Sequence, residues 1–297
     1  MSFSIGRKGQ DNKGIAIAKI QGGTENGKFL YMKTYKKELV NLPKSITDRF
    51  TDEEYEILDN AIKTGIEPLE EREKDAYYKI LEEFEKIKHK GFILKSGKLV
   101  PLLNFNKEER FYITGSSGSG KTYFATQLVK QYLKRYKNEN NDFVLISGVP
   151  SSEEINKLEP SVINPYELLE EPLREEEITD AVVLFDDVLS IPNKNVKNNI
   201  VAIVNNLVET NRHSRTTMLI INHLINNHHE TRKLLNEATS ITFFPKSSAR
   251  NNIRKYLKTY EGFDDKMIRK IVNLPSRAVT LYKNPEYILY EKGAFAI

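Results

Sequence analysis

Apolar residues recur along this chain with two periods, and the switches between them mark its elements. Five short runs, at 110–114, 142–147, 181–185, 217–221 and 240–244, are nearly continuous in Val, Ile, Leu, Phe and Tyr, the pattern of strands buried on both faces. Between them the spacing becomes helical. Residues 120–136 set Phe124, Leu128, Val129, Tyr132 and Leu133 along one side of a helix, and 195–210 read as another. Strand and helix in alternation predict a parallel sheet with helices on both faces, an α/β unit over 98–297.

The flanks follow other patterns. Residues 14–20 and 28–34 read as strands about the turn Gly22-Gly23-Thr24-Glu25-Asn26-Gly27. Thr51 and Glu54 form a capping box that opens a helix. Pro68 opens a longer one with Tyr77, Ile80, Leu81, Phe84 and Ile87 on a core-forming face, ended by Gly91. Residues 1–97 thus read as a small α+β module. Segments 92–94 and 98–102 predict a hairpin about Ser96-Gly97. Near the C-terminus, 250–260 and 264–272 read as helices, and 277–282 and 287–291 as a strand pair turned at Asn284-Pro285.

Between the first of the five strands and its helix stands Gly115-Ser116-Ser117-Gly118-Ser119-Gly120-Lys121-Thr122, the phosphate-binding pattern G-x-x-x-x-G-K-[ST]. The glycines let successive N–H groups turn inward around phosphate oxygens. Lys121 brings a cation to the β/γ-phosphates, the Thr122 hydroxyl is a ligand for Mg²⁺, and the helix start adds a positive dipole end. The expected ligands are ATP and Mg²⁺.

The strand at 181–185 runs into Asp186 and Asp187. A buried strand delivering carboxylates to a nucleotide fits Asp186 as Mg²⁺ holder and Asp187 as the group that orients the attacking water. The segment Glu209-Thr-Asn-Arg-His-Ser-Arg leads into the fourth strand, which ends at Asn222-His223. Either Asn222 or His223 is placed to sense the γ-phosphate. Arg212 or Arg215 suits an arginine finger acting on a neighbouring subunit's nucleotide, or simple salt bridging at a helix end. His223, His228 and His229 lack metal-ligand spacing.

Charge sharpens this picture. The net charge is +4, but 151–180 carries ten acidic side chains against two basic, and 246–283 ten basic against three acidic. A basic C-terminal lobe fits a polyanion, and it would also serve as plain solvated surface. Arg250, Arg254 and Lys258 on one helix face, with Lys194 and Lys197 in a loop after the Asp pair, are the candidate DNA contacts. There is no cysteine, so disulfides and thiolate metal sites are excluded. The N-terminus lacks a signal-peptide core and no run suits a membrane span, so neither secretion nor membrane insertion is expected.

Together, GSSGSGKT, LFDD, NRHSR-to-LIINH and the tail 277–291 resemble the DNA-packaging ATPases of large DNA viruses, the poxvirus-type branch of the FtsK/HerA translocases, over roughly residues 98–297. The resemblance implies a RecA-like core with the sensor strand between the phosphate-loop and Asp-Asp strands. It implies a homo-oligomeric ring of five or six subunits that pulls double-stranded DNA into a capsid, with a capsid or portal partner, at an assembly site in the host cytoplasm and in the virion. The ten-residue interval from Arg212 to Asn222 resembles the arginine-to-sensor interval of FtsK-type motors, which favours Arg212 as the finger. Two positions depart from the wider group: Asp187 stands where Glu is usual, and Asn222 where Gln is usual. A plasmid or mobile-element pump or a helicase would share this core. A nucleotide-gated assembly protein without turnover would have no use for the intact set Lys121, Thr122, Asp186 and Asp187.

Overall fold

Six apolar strands lie side by side and parallel in the computed structural model, which describes residues 1–10, 14–34, 39, 42–88, 91–104, 108–136, 142–174, 177–225, 231–247 and 250–297. The chain begins with β1 (Ser2–Gly6), β2 (Ile15–Gln21), β3 (Phe29–Lys33), α1 (Lys44–Thr47), α2 (Asp52–Thr64) and α3 (Glu71–Lys88). Helix α2 starts where Thr51 and Glu54 cap each other's backbone, as the capping box predicts. Leu58, Ala61 and Ile62 of α2 pack against Tyr77, Ile80 and Phe84 of α3 in a small core of their own.

Next come β4 (Phe92–Ile93) and β5 (Lys98–Pro101), and here the predicted hairpin does not form. β5 pairs antiparallel with β2, completing a four-stranded sheet β1-β3-β2-β5, while β4 pairs with the C-terminal strand Gly293–Ala296 in the other sheet. Ser96-Gly97 is a crossing between sheets rather than a hairpin turn. At φ 85° Gly97 passes so close to the Gly22 backbone that a Cβ would lie 2.2 Å from the Gly22 oxygen. The Thr24 N–H donates to Ser96 Oγ at 3.1 Å and fixes the crossing.

The remaining elements are β6 (Arg110–Thr114), α4 (Lys121–Arg135), β7 (Phe143–Ser147), α5 (Glu153–Asn156), β8 (Ser161–Ile163), β9 (Val182–Asp186), α6 (Lys194–Thr210) and β10 (Thr217–Asn222). They are followed by α7 (Arg232–Glu237), β11 (Ser240–Phe243), α8 (Arg250–Thr259), α9 (Asp265–Val272), β12 (Val279–Lys283), β13 (Glu286–Tyr290) and β14 (Gly293–Ala296). The large sheet runs β4-β14-β13-β12-β11-β6-β10-β9-β7-β8, parallel from β11 to β8 and antiparallel beyond. β10 lies between β6 and β9, with Asn222 opposite Thr114 and Ile221 opposite Asp186. This register brings the phosphate loop, the Asp pair and the end of β10 to one edge. The order and loop placement are those of a P-loop NTPase with a RecA-like sheet, as the sequence leads one to expect.

Alternate strand residues feed two cores. Phe111, Ile113, Leu184 and Leu219 meet α4 and, beyond it, Ile17, Ile20 and Leu30 of the four-stranded sheet. Tyr112, Val183, Phe185 and Ile220 face the layer of α6 to α9. The cation-bearing turn after β9 also differs from expectation. Lys194 and Lys197 sit in the first turn of α6, not in a loop, because Asn193 Oδ1 caps the N–H groups of Asn195 and Val196 at 3.0 and 3.3 Å. Among the described residues no helix is long and apolar enough to cross a membrane. His228, His229 and the Ile87 side chain lie outside the described residues.

Candidate nucleotide site

The loop from Gly115 to Gly120 leaves β6 at the C-terminal edge of the parallel strands, where ligands of such sheets bind. Gly115 continues the strand, its N–H donating to the Asn222 carbonyl at 3.3 Å. Gly118 and Gly120 then take φ values of 72° and 107°, which a residue with a Cβ rarely adopts, and α4 begins at Lys121. Ser116 Oγ donates to the Ser247 carbonyl at 2.5 Å, tying the loop to the segment that leads into α8. Ser117 and Gly118 are exposed and Ser119 is buried.

One side chain shaping this loop carries no signal in the phosphate-binding pattern. Arg277, just before β12, donates from Nε to the Ser119 carbonyl at 2.7 Å and from Nη2 to the Gly118 carbonyl at 3.2 Å. Holding those carbonyls outward leaves the loop's N–H groups to face a phosphate. In the sequence Arg277 opens the tail 277–291, and nothing in that pattern ties it to the loop.

Asp186 ends β9 buried, and Asp187 follows with φ 49°, a left-handed conformation that swings its carboxylate toward Lys121. The Asp187 N–H donates to the Ile221 carbonyl at 3.1 Å, which holds the turn. Gly148 backs it, since a Cβ there would lie 2.6 Å from the Asp187 oxygen. Burial pushes the Asp186 carboxyl up to about 6, with the Asp187 charge adding and Lys121 opposing. Burial likewise lowers Lys121, against the pull of Asp187 and Asp186.

His223 joins these groups. Lys121 Nζ lies 3.3 Å from His223 Nδ1 and 3.3 Å from the Ser116 carbonyl, and His223 Nε2 lies 3.1 Å from Asp187 Oδ2. Lys121 can only donate, so Nδ1 accepts and the Nε2–H donates to Asp187. Asn222, the other sensor candidate, is buried, and its amide lies against the Tyr112 hydroxyl.

Four buried oxygens at this edge have no hydrogen-bond partner among the described residues: Ser119 Oγ, Asp186 Oδ1, Asp187 Oδ1 and Asn222 Oδ1. Leaving such atoms unmet costs about 1–3 kcal/mol each, so their cluster marks a place built for a polar ligand. An unmet buried carboxylate at the edge where Thr122 stands in the first turn of α4 fits Mg²⁺, which takes oxygen ligands and needs only one or two from protein when phosphates supply others. Among the described residues no group of three or more His, Cys, Asp or Glu side chains forms a cation site without such help.

The arginines lie at the far edge of the sheet. Asn211, Ser214 and Thr216 point inward and lock the segment before β10: Asn211 Oδ1 accepts from Arg110 Nη1 at 2.8 Å and its Nδ2 donates to the Thr216 carbonyl at 2.9 Å. Arg212, His213 and Arg215 therefore point out to solvent. Arg215 is paired with Asp180, whereas Arg212 makes no ion pair or hydrogen bond among the described residues. β10 separates them from their own phosphate loop by about 17 Å at roughly 3.3 Å per residue.

The basic residues divide too. Arg250, Arg254 and Lys258 share the exposed face of α8, opposite buried Ile253, Tyr256 and Leu257. Lys258 bonds Asp265 at 3.1 Å and Arg250 Nε the Pro245 carbonyl at 3.1 Å. Lys194 and Lys197 open α6 just past the Asp pair.

Comparison with known proteins gives further findings. Residues 67–155 match the family model described as type III restriction enzyme, res subunit. Uncharacterized protein V3 of Sputnik virophage is 36% identical over 224 residues, spanning 74% of this chain and 89% of that protein. The DNA-packaging ATPase B204 of Sulfolobus turreted icosahedral virus is similar at 14% identity and a TM-score of 0.45, over 65% of this chain and 99% of that one. The pCW3 conjugation coupling protein TcpA is similar at 13% identity and a TM-score of 0.45, over 93% of this chain and 77% of that one. Viral genome-packaging NTPases, the group the motifs resemble, are thus among the structures this chain is similar to.

Proposed function

The chain belongs to the family of Sputnik virophage protein V3, and from that premise we propose that it is an ATP-driven motor that moves double-stranded DNA and packages a viral genome into a capsid. The observation that carries this reading is the division of the β10 segment. Its C-terminal end meets the phosphate loop through His223, while its N-terminal end aims Arg212 away from the subunit's own nucleotide.

In this reading Lys121 leaves His223 for the β/γ-phosphates when ATP binds, and the loop N–H groups hold the remaining phosphate oxygens. Thr122 and Asp186 would hold Mg²⁺, which supplies charge neutralisation for the phosphates. Asp187 accepts a hydrogen bond from the attacking water at Oδ1, the atom without a partner, while His223 fixes Oδ2. The water oxygen bonds to the γ-phosphorus as the bond to the β-phosphate oxygen breaks, the water's proton passes to the departing phosphate, and ADP and phosphate leave. Because His223 touches both Lys121 and Asp187, it is the group that senses whether the γ-phosphate is present, in preference to Asn222.

Charge on the transferring group is completed by Arg212 of the next subunit in a homo-oligomeric ring of five or six, with Arg215 committed to Asp180. Lys194 and Lys197 at the start of α6, and Arg250, Arg254 and Lys258 on α8, contact DNA phosphates without reading sequence. A capsid or portal component docks the motor at the assembly site in the host cytoplasm.

The test is ATP turnover with and without double-stranded DNA, in the wild type and in Asp187→Asn. DNA of any sequence is expected to raise wild-type turnover several-fold. Asp187→Asn is expected to bind ATP yet turn over about 10²-fold more slowly, since it keeps shape and loses the charge that orients water. Turnover indifferent to DNA contradicts the motor reading, and a fully active Asp187→Asn contradicts the role given to Asp187.

A further inference from the structure

A cavity of about 170 Å³ opens beside the phosphate loop, and Gly120 belongs to both. Tyr123 and Gln127 of α4 form one wall, Val100 and Pro101 of β5 the second, and Arg277 and Tyr290 of the C-terminal strands the third. We propose that this cavity receives the base of the bound nucleotide, with Tyr123 stacking on the ring and Gln127 reading an adenine edge. The four-stranded N-terminal sheet is then part of the nucleotide site. The proposal rests on the reading of GSSGSGKT as a triphosphate site.

Position supports it first. Lys121, Asp187 and His223 mark where the γ-phosphate end lies, so the ribose and base must leave the loop on the other side. None of Asp186, Asp187 or His223 lines the cavity, whereas Gly120 and Tyr123, on either side of Lys121-Thr122, both do. The lining suits a flat heteroaromatic ring. Leu99, Val100, Pro101, Phe124, Phe244 and Leu289 give apolar walls, with a few polar groups at defined places.

The polar groups argue for adenine. Tyr123 is 58% exposed, an aromatic ring left open at the mouth of an apolar cavity, and such rings serve as stacking platforms for bases. Gln127 lies one turn along the same helix face. One turn further, Gln131 is bonded at both ends of its amide: its Nε2 donates to the Pro101 carbonyl at 2.8 Å and its Oε1 accepts from the Leu103 N–H at 3.2 Å. Gln127 has no hydrogen bond among the described residues and is half-buried. A carboxamide presents an N–H donor and an oxygen acceptor side by side, which matches the acceptor N7 and donor N6 of adenine. Guanine presents two acceptors, O6 and N7, and leaves the amide oxygen unmatched.

Equilibrium binding of ATP, GTP and inorganic tripolyphosphate to the full chain, each with Mg²⁺, tests the proposal. Wild type is expected to prefer ATP to GTP about tenfold or more, the discrimination of one bidentate contact. Tyr123→Ala is expected to weaken ATP about tenfold and leave tripolyphosphate unchanged, because the stacking it removes involves only the base. Gln127→Ala should erase the preference for ATP over GTP. Val100→Trp, which fills the cavity from the N-terminal sheet, should block ATP but not tripolyphosphate. Unchanged ATP affinity in all three variants overturns the proposal, as does equal weakening of ATP and tripolyphosphate. If wild type binds neither, the triphosphate reading itself is overturned along with it.

Discussion

Arg277 carries at the scale of one residue what the phosphate-binding pattern leaves unexplained. A run of N–H groups can point inward only if the adjoining carbonyls point outward, and Arg277 holds two of them, on Gly118 and Ser119. Hydrogen bonds from a charged donor contribute about 1.5–3 kcal/mol. Arg277→Ala should therefore weaken ATP by about tenfold or more, read by calorimetric titration, and Arg277→Lys should recover only part of it, because an ammonium cannot span both carbonyls as a guanidinium does. An unchanged affinity in Arg277→Ala means the glycines alone hold the loop. The loop itself was legible in the sequence because its residues are contiguous and each position has a local chemical reason. Arg277 was not legible because it reaches the loop across 158 residues, and no local pattern encodes such an interaction. His223 was legible only as an alternative to Asn222, and its contacts with Lys121 and Asp187 are what support it in the proposed reading.

At the scale of elements, α8 starts only three residues after Ser247, whose carbonyl accepts the Ser116 hydroxyl. A shift of the phosphate loop on hydrolysis thus has a short path to the basic face of α8. Neutralising Arg250, Arg254 and Lys258 together should weaken double-stranded DNA binding whatever its sequence. It should also reduce the slope of log affinity against log salt by about one unit for each DNA phosphate that the variant leaves without its cation. Fluorescence anisotropy across a salt series measures both. Lys258, already bonded to Asp265, should contribute least and Arg254 most. A slope equal to that of the wild type makes the face solvated surface. The five buried strands and their helices were legible from hydrophobic period, because burial on both faces imposes a continuous apolar run. The hairpin about Ser96-Gly97 was misread for a physical reason. Spacing shows that two strands are close in sequence, but pairing is decided by which sheet edge each one completes, β2 for β5 and β14 for β4. β8 and β14 escaped notice because three residues of one and the Gly-Ala-Phe-Ala of the other are too short or too small-sided for a period to register.

Across the whole molecule, the sheet holds the phosphate loop and the Arg212 segment apart by its own length. The phosphate loop, Asp186, Asp187 and His223 occupy one edge, and Arg212 the other, where its own nucleotide is out of reach. Hydrolysis that depends on Arg212 then requires a second subunit. Arg212→Ala should bind ATP normally and lose about 10³-fold or more in turnover. Mixing it with Lys121→Ala, which has a disabled pocket and an intact finger, should restore activity through paired subunits. Activity that no mixing ratio restores rules out action in trans.

If hydrolysis moves the protein along duplex DNA, displacement of a labelled third strand from a triplex reads that movement directly. With ATP and Mg²⁺, the wild type should strip the third strand from a long duplex at a rate that follows ATP turnover, while the two duplex strands stay paired. Asp187→Asn should strip none. A wild type that hydrolyses ATP in the presence of the triplex yet leaves the third strand in place would contradict translocation.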